Sequence, residues 1–143
     1  TFMSRKGVSI DTCDYIIEGL KALNLPDGII LDGELYKHGL DFQETMKHLK
    51  KKRTDSDIKF NVYDLVEETM SYEARRAVLE SFKLTSCENV ELVEEIRGLF
   101  TDDFVAKEYA KRMGEGYEGV MIRVLDSKYE ISKRSSSLIK YKL

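Results

Sequence analysis

The sequence predicts a single domain of the α+β class. A chain of 143 residues is long enough to bury a substantial core but short for two domains. Its apolar fraction of 42% and charged fraction of 34% are those of a globular protein. Segments with helical and strand periodicity follow one another in an irregular order, which favours α+β over the regular alternation of a doubly wound sheet.

The first helix is predicted over residues 11–23. Either Asp11 or Thr12 can cap the free amides at its start. The helix is assigned from apolar residues that recur every three or four positions: Cys13, Ile16, Ile17, Leu20 and Leu23.

The middle of the chain predicts two strands and two helices. A Pro-Asp-Gly turn leads into a short, mostly apolar run at 29–36, which contains one acidic residue, Glu34. Aromatic and β-branched residues favour a second strand at 59–65. Helices are predicted at 41–52 and from a serine cap, Ser71, as far as residue 82.

The last third of the chain turns mainly to strand. A short strand is predicted at 89–93, and a helix at 101–113 is expected to end at Gly114. Two more strands are predicted at 119–122 and 138–143, joined by a polar segment.

Charge and composition exclude several classes of protein. A net charge of −3 argues against a surface coated in positive charge, so any contact with nucleic acid must come from a local patch. No apolar run approaches the roughly 20 residues of a membrane span, and the first residues do not form a signal peptide. Cys13 and Cys87 lack metal-binding spacing, and a reducing cytoplasm is therefore expected.

Two basic patches are candidates for a phosphate-binding surface. The first also fits a solvated helix end with a basic tail, so both interpretations stay open. The patches are Lys47, Lys50, Lys51, Lys52 and Arg53 in the middle of the chain, and Lys133 with Arg134 near its end.

Two lysines near the end of the chain give the most informative local pattern. In a strand, residues two apart point to the same face, so Lys140 and Lys142 lie side by side. Two neighbouring ammonium groups repel each other unless an anion such as phosphate satisfies both. The alternative is an edge strand protected from aggregation by lysines.

Three further residues could serve a ligand site, although each has an ordinary structural explanation. Glu34 interrupts an apolar run, so its carboxylate faces solvent or is held by a hydroxyl, a metal or a cation. Glu118 follows a glycine-rich approach that would let it come close to a ligand. Tyr63 can stack on a base from one face of its strand or belong to the core.

Taken in order, five segments resemble the nucleotidyltransferase motifs of the ATP-dependent DNA ligases. The likeness covers nearly the whole chain, and both the order and the spacing of the motifs agree. The segments are Ser4-Arg5-Lys6-Gly7, Leu31-Asp32-Gly33-Glu34-Leu35, Phe60-Asn61-Val62-Tyr63-Asp64-Leu65, Glu118-Gly119-Val120-Met121-Ile122-Arg123, and Lys133-Arg134-Ser135 followed by Leu138-Ile139-Lys140-Tyr141-Lys142.

The resemblance implies an ATP-grasp-like nucleotidyltransferase core, residues 1–143, without the oligonucleotide-binding barrel that follows in the family. It implies ATP and Mg²⁺ as cofactors. In the family, AMP passes from ATP to an enzyme lysine and then to the 5′-phosphate of a DNA nick, which the 3′-hydroxyl seals. Such chemistry serves DNA repair, replication and recombination.

The resemblance also implies roles for individual residues in nucleotide binding. Tyr63 would stack on adenine, and Glu34 would accept a hydrogen bond from the ribose. Arg5 would hold ribose or phosphate oxygens, and Arg134 would contact phosphate.

Three other residues would act at the reacting phosphorus or its metal. Glu118 would position the divalent metal. Lys140 and Lys142 would stabilise the charge that develops on the α-phosphate during transfer.

The sequence departs from the family at the nucleophile. The family motif is Lys-x-Asp-Gly, but the two Asp-Gly pairs here have Leu25 and Ile30 at the lysine position. We therefore expect a domain that is incomplete at its N-terminus, inactive in forming the AMP adduct, monomeric and only weakly bound to nicked duplex DNA. The alternatives are a catalytically dead nucleotide- or DNA-binding module and an RNA ligase or capping-type nucleotidyltransferase.

Overall fold

The computed structural model describes residues 2–4, 7–10, 12–49, 58–98, 101–131 and 138–141. The strands are β1 (Phe2–Met3), β2 (Ser9–Ile10), β3 (Leu31–Tyr36), β4 (Lys59–Leu65), β5 (Val90–Leu92), β6 (Val120–Arg123) and β7 (Leu138–Tyr141). The helices are α1 (Asp14–Lys21), α2 (Phe42–Leu49), α3 (Tyr72–Ser81) and α4 (Asp102–Gly114). This mixture confirms the α+β class.

The strands form three small sheets. β4 is the centre of a three-stranded sheet, with β3 antiparallel on one side and β5 parallel on the other. β6 pairs with β7 in an antiparallel ribbon, and β1 pairs with β2. In the described part of the chain the sheets do not close into a barrel.

The hydrophobic core lies against one face of the three-stranded sheet. α1 contributes Ile16 and α3 contributes Leu79, both almost completely buried. The side chains of β4 alternate between its two faces, because Phe60 and Val62 are buried while Asn61 and Tyr63 are only partly covered. The other face of the sheet therefore does not belong to this core.

Side-chain hydrogen bonds cap the first turn of two helices, one of them predicted. The Ser71 hydroxyl accepts from the Ala74 amide at 3.2 Å and begins α3, as predicted. The Thr101 hydroxyl does the same for α4, accepting from the Phe104 amide at 3.1 Å. Each bond satisfies an amide that the first turn leaves free.

Two helix-end expectations were wrong or lie outside the described residues. α1 has Cys13 at its N-cap with no side-chain cap hydrogen bond, so Thr12 does not cap it, and Asp11 is not among the described residues. α4 ends at Gly114, as expected, but Gly114 is the last helical residue rather than the left-handed residue that follows a helix. The left-handed conformation follows at Gly116, with φ of +91°.

The β1–β2 pair was not predicted, since two-residue strands carry no readable periodicity. Two main-chain hydrogen bonds link their ends: the Ser4 amide donates to the Val8 carbonyl at 2.8 Å, and the Gly7 amide donates to the Ser4 carbonyl at 2.9 Å. Gly7 has φ of +79°, which only glycine adopts without strain. Ser4 and Gly7, the described residues of the Ser-Arg-x-Gly segment, are therefore held close together at the end of the β1–β2 pair. Among the described residues, no helix has the length and apolarity needed to cross a membrane.

Candidate functional site

Three charged side chains that are distant in sequence meet at one place. The pKa of Glu34 is raised, first because the surrounding protein partly removes its carboxylate from water and second because Glu118 is negative. The Lys140 ammonium opposes both effects. Although Glu34 is the one exposed residue of β3, it is close enough to both partners for their charges to act on it.

The free face of the three-stranded sheet carries two of the predicted site residues. Glu34 pairs with Asn61 across the β3–β4 ladder, so the two side chains share a face. Tyr63 follows Asn61 by two positions and is partly exposed, whereas Val62 between them is fully buried in the core. Glu34 and Tyr63 therefore project from the same side of the sheet, away from the core.

A β-bulge adjusts the sheet at Tyr63. The register pairs Gly33 with Val62 and Asp32 with Asp64, so β4 has one residue more than β3 between these two pairs, at Tyr63. A Cβ at Gly33 would lie 2.4 Å from the Asn61 carbonyl oxygen, so only glycine permits this approach of the two strands. In the Asp-Gly-Glu segment, Gly33 thus lies at the close contact between the two strands, and Glu34 projects from the face of the sheet opposite the core.

The β6–β7 ribbon turns one face toward this sheet. Lys140 pairs with Met121, so both side chains share a face, and Arg123 lies on it two positions further along. The Lys140 ammonium is close enough to Glu34 to oppose the rise in the pKa of its carboxyl group. Arg123 donates a hydrogen bond to Asp64 Oδ2 at 2.5 Å. The Met121 side chain on this face is 53% exposed. The space between this face and the outward face of the three-stranded sheet, here called the cleft, is therefore bordered by the Lys140 ammonium, the Glu34 carboxylate and the exposed Met121 side chain.

The opposite face of the ribbon packs against α4. Val120 pairs with Tyr141 on this face, and the Tyr141 ring meets the Tyr109 ring of α4 edge-on at 5.2 Å. The ribbon is therefore anchored by an aromatic contact on one side and leaves its cationic side open to the cleft.

A buried ion pair holds the two sheets together below the cleft. Asp64 and Arg75 are each 1% exposed, and Arg75 Nε donates to Asp64 Oδ1 at 2.8 Å. Arg75 also donates to the carbonyls of Met70 and Ser127. With Arg123 on its second oxygen, Asp64 is satisfied by guanidinium groups from two elements, which makes burial of its charge tolerable.

A tyrosine on the segment after β6 closes one end of the cleft. The Tyr129 hydroxyl donates to Asp32 Oδ2 at 2.6 Å, and its ring lies 5.6 Å from the Arg75 guanidinium. Burial raises the pKa of Tyr129, and the hydrogen bond to Asp32 and the field of nearby Tyr63 raise it further. Tyr129 therefore ties the β6–β7 connection to β3 beside Tyr63.

The described residues fit a magnesium ion only with help from other ligands. Glu118 and Glu34 offer carboxylate oxygens, which are the donors that Mg²⁺ prefers. Within the described ranges no group of three or more His, Cys, Asp and Glu residues could hold a metal. Mg²⁺ commonly uses one or two carboxylates and completes its shell with water and substrate phosphates, and this donor set suits that mode.

Three predicted site residues lie outside the described part of the chain: Arg5, Arg134 and Lys142. The same applies to most of the basic patches, including Lys50, Lys51, Lys52, Arg53 and Lys133.

Sequence reasoning missed several residues that shape the cleft. Arg75 and Arg123 were passed over because a helical arginine and a strand-end arginine are ordinary surface residues. Tyr129 lies in a polar segment without periodicity. A signal was available only for Asp64, because a carboxylate within an apolar run needs a cationic partner when it is buried.

Comparison with known proteins places the chain among sequences of known chemistry. Residues 1–142 match the profile described as the ATP dependent DNA ligase domain. The SPbeta prophage-derived DNA ligase-like protein LigB of Bacillus subtilis (strain 168) is 32% identical over 132 residues, covering 85% of this chain and 46% of LigB.

Solved structures agree on the fold. A Lig E DNA ligase superposes with a TM-score of 0.79 at 22% identity, over 99% of this chain and 54% of that chain. Chlorella virus DNA ligase-adenylate superposes with a TM-score of 0.76 at 23% identity, over 98% of this chain and 54% of the viral chain. The chain thus spans about half the length of these relatives.

Proposed function

The chain belongs to the ATP-dependent DNA ligase family, and we propose that it binds ATP with a divalent metal in the cleft between its two sheets. The observation that carries this proposal is the meeting of Glu34, Glu118 and Lys140, which come from both sheets. Tyr63 projects from the same face as Glu34. The chain would be the core that positions AMP for transfer during sealing of a DNA nick.

The nucleoside would occupy the part of the cleft next to β3 and β4. Tyr63 offers a ring for the adenine, a contact worth roughly 1–3 kcal/mol for a stacked base. Glu34 offers a carboxylate oxygen to a ribose hydroxyl. The exposed Met121 lies on the facing ribbon and adds an apolar surface that a planar base can cover.

The phosphates would lie toward Lys140 and Glu118. Lys140 can stabilise negative charge on the α-phosphate, because its ammonium already opposes the carboxylates across the cleft. Glu118 would hold the metal, which when bound supplies a Lewis acid that neutralises phosphate charge. Arg5, Arg134 and Lys142 are proposed as further phosphate or ribose contacts on the family resemblance alone.

The covalent step needs a nucleophile that these 143 residues do not contain in the family's form. Transfer of AMP to a lysine forms an N–P bond and releases pyrophosphate, so the amine must sit in line at the α-phosphorus. Neither Asp-Gly pair is preceded by lysine at the required position, which holds Leu25 or Ile30. We therefore propose that this chain binds the nucleotide without forming an AMP adduct.

Two measurements test the proposal. Calorimetric titration of ATP with Mg²⁺ should show binding that Tyr63→Ala weakens about 5- to 150-fold, the equivalent of losing a stacked base. Tyr141→Phe is the matched control, since the Tyr141 ring packs on Tyr109 away from the cleft. Absence of ATP binding, or an equal loss in the control, would contradict the proposed site.

Labelled ATP tests the missing nucleophile. Incubation with Mg²⁺ should leave no label on the chain in a denaturing gel. Extension of the chain by an upstream segment carrying Lys-x-Asp-Gly should restore labelling, and Glu118→Ala in that longer protein should suppress it. An acid-labile AMP adduct on a lysine of the 143-residue chain would show that the nucleophile is misplaced.

The remaining partners follow from the same proposal. Nicked duplex DNA is the polymer substrate, bound weakly by this chain because its net charge is −3. We propose a monomer that works in a reducing cytoplasm, in keeping with the free thiols of Cys13 and Cys87. Nick sealing of this kind serves repair, replication and recombination.

A further inference from the structure

A polar and aromatic cluster lies where β3 ends, next to the carboxylates of the site. The Tyr36 hydroxyl donates to His38 Nδ1 at 2.9 Å. His38 Nε2 lies 2.7 Å from the main-chain carbonyl oxygen of Glu115. The His38 ring also lies against the Tyr117 ring, with centroids 4.2 Å apart and planes inclined by 30°.

The chemistry of the two partners determines which ring nitrogen carries the proton. A carbonyl oxygen only accepts, so Nε2 of His38 must donate to Glu115. In the neutral ring, Nδ1 is then the acceptor for the Tyr36 hydroxyl. Both nitrogens are engaged, and the ring cannot turn without losing both hydrogen bonds.

The segment that His38 grips is held by α4 on its other side. The Gly116 amide donates to the Met113 carbonyl at 3.1 Å, and the Tyr117 amide donates to the Arg112 carbonyl at 3.0 Å. Gly116 has φ of +91°, and a Cβ there would lie 3.4 Å from His38 Nε2. The segment from Glu115 to Tyr117 is therefore packed closely between α4 and the His38 ring.

The cluster connects the two carboxylates of the cleft. Tyr36 follows Glu34 by two positions on β3, and Tyr117 immediately precedes Glu118. Burial raises the pKa of Tyr36, and nearby Tyr117, Glu34 and Glu118 raise it further, in that order. The route from one carboxylate to the other therefore passes through two short hydrogen bonds and one ring contact, all made by His38.

We propose that His38 is a positioning residue that sets the separation of the Glu34 and Glu118 carboxylates. Without its bridge, the segment before β6 is still attached to α4, but Glu118 loses this fixed link to β3. Divalent cations bind most tightly where their oxygen ligands are already in position. The proposal rests on the proposed function, because the separation matters only when the cleft takes a metal with ATP.

The test compares His38→Ala with His38→Gln. Hydrogen exchange of residues 115–119 should speed up in the alanine variant and return toward the original rate with glutamine, whose amide can donate to the Glu115 carbonyl. The Mn²⁺ concentration that half-saturates ATP binding, followed by calorimetry, should rise about 10-fold in the alanine variant. AMP binding in EDTA should change less than twofold, because the base and ribose contacts do not need Glu118.

A matched control removes a hydrogen bond of similar length elsewhere. Tyr15→Phe loses the bond from its hydroxyl to the Ile58 carbonyl, 3.0 Å long and on the core side of the sheet. It should leave the Mn²⁺ dependence unchanged, so a shift seen equally in Tyr15→Phe would overturn the inference.

The remaining outcomes separate the inference from the proposed function. Unchanged exchange in His38→Ala, or faster exchange with an unchanged Mn²⁺ dependence, overturns the role of His38 alone. Failure of the unmodified chain to bind ATP at any Mn²⁺ concentration overturns the proposed function, and the inference with it, before any substitution is compared.

Discussion

At the scale of single residues, two carboxylates show how surroundings decide what a charge contributes. Asp64 is buried but surrounded by the guanidinium groups of Arg75 and Arg123. Glu34 has a raised pKa because it is partly desolvated and faces Glu118. The first charge stabilises the fold and the second opposes it, which is the usual compromise at a functional site.

Removal of the Glu34 charge should stabilise the folded chain at neutral pH. The folded pKa lies above the unfolded one, so the stabilising contribution of protonated Glu34 is present at low pH and is lost as pH rises through the folded pKa. We expect Glu34→Gln to unfold at higher urea than the parent at pH 7, with the difference shrinking as pH falls toward 4. Circular dichroism during urea unfolding measures this.

Glu67 serves as the control, because its pKa is shifted in the opposite direction to that of Glu34. Hydrogen bonds from Thr69 lower the pKa of Glu67, so its contribution is present above the unfolded pKa and is lost as pH falls. Glu67→Gln should not stabilise the chain at pH 7. An increase in stability of equal size in both variants would mean that overall charge, rather than the site, is responsible.

Loss of the Asp64 charge should be strongly destabilising. Asp64→Asn leaves two guanidinium groups without their counterion, one of them fully buried, which costs about 3–5 kcal/mol when a buried pair is broken. Urea unfolding at pH 7 measures the free energy. The control is Glu18→Gln, which breaks an exposed pair with Lys21 worth less than about 1 kcal/mol. Similar midpoints for both variants would refute the role of the network.

At the scale of elements, crowding between strands decides where the site residues point. The bulge at Tyr63 requires β3 and β4 to approach closely at Gly33, where an added Cβ would meet backbone. A backbone neighbour cannot swing aside as a side chain can. The helix end at Gly114 is a useful contrast, because a Cβ there meets nothing within 4 Å.

The same substitution should therefore have opposite effects at the two glycines. Gly33→Ala is expected to lower the free energy of unfolding by about 1–3 kcal/mol through overpacking. Gly114→Ala is expected to leave it unchanged or raise it by up to about 1 kcal/mol, because alanine suits a helix better. Thermal and urea unfolding measure both. Tolerance of Gly33→Ala would show that the strands can separate at the bulge.

At the scale of the whole molecule, positive charge is local rather than general. The chain has 23 basic and 26 acidic residues, so its long-range field does not attract a polyanion. The cationic face of the ribbon is the exception among the described residues of the cleft, and it faces inward toward Glu34. The arrangement suits a small anion inside the cleft better than a duplex outside it.

DNA binding should accordingly be weak and sensitive to salt. We expect dissociation constants for nicked duplex no tighter than about 10⁻⁶ M at physiological salt, the range of non-specific binding. Filter binding across a salt series gives the affinity and, from its slope, the number of phosphates neutralised. Unnicked duplex of the same length is the control. Tight, salt-resistant and nick-specific binding would contradict this view.

The sequence by itself determined most of the elements, though not β1 and β2, and the family to which the chain belongs. Periodicity and capping placed helices such as α3, whose predicted cap Ser71 holds its first turn, and ordered motifs identified Glu34, Tyr63, Glu118 and Lys140 as site candidates, with roles that stay predictions. These signals are local, so a few neighbouring residues are enough to recognise each of them.

Only the tertiary structure decided which distant side chains meet. The β6–β7 ribbon brings Glu118 and Lys140 close to Glu34, and burial turns Asp64, Arg75 and Arg123 into one network. His38 and Tyr129 stand in segments without periodicity, and their partners lie 77 and 97 residues away along the chain. Such contacts depend on strand register and sheet packing, which arise from the whole chain, so no local pattern of residues encodes them.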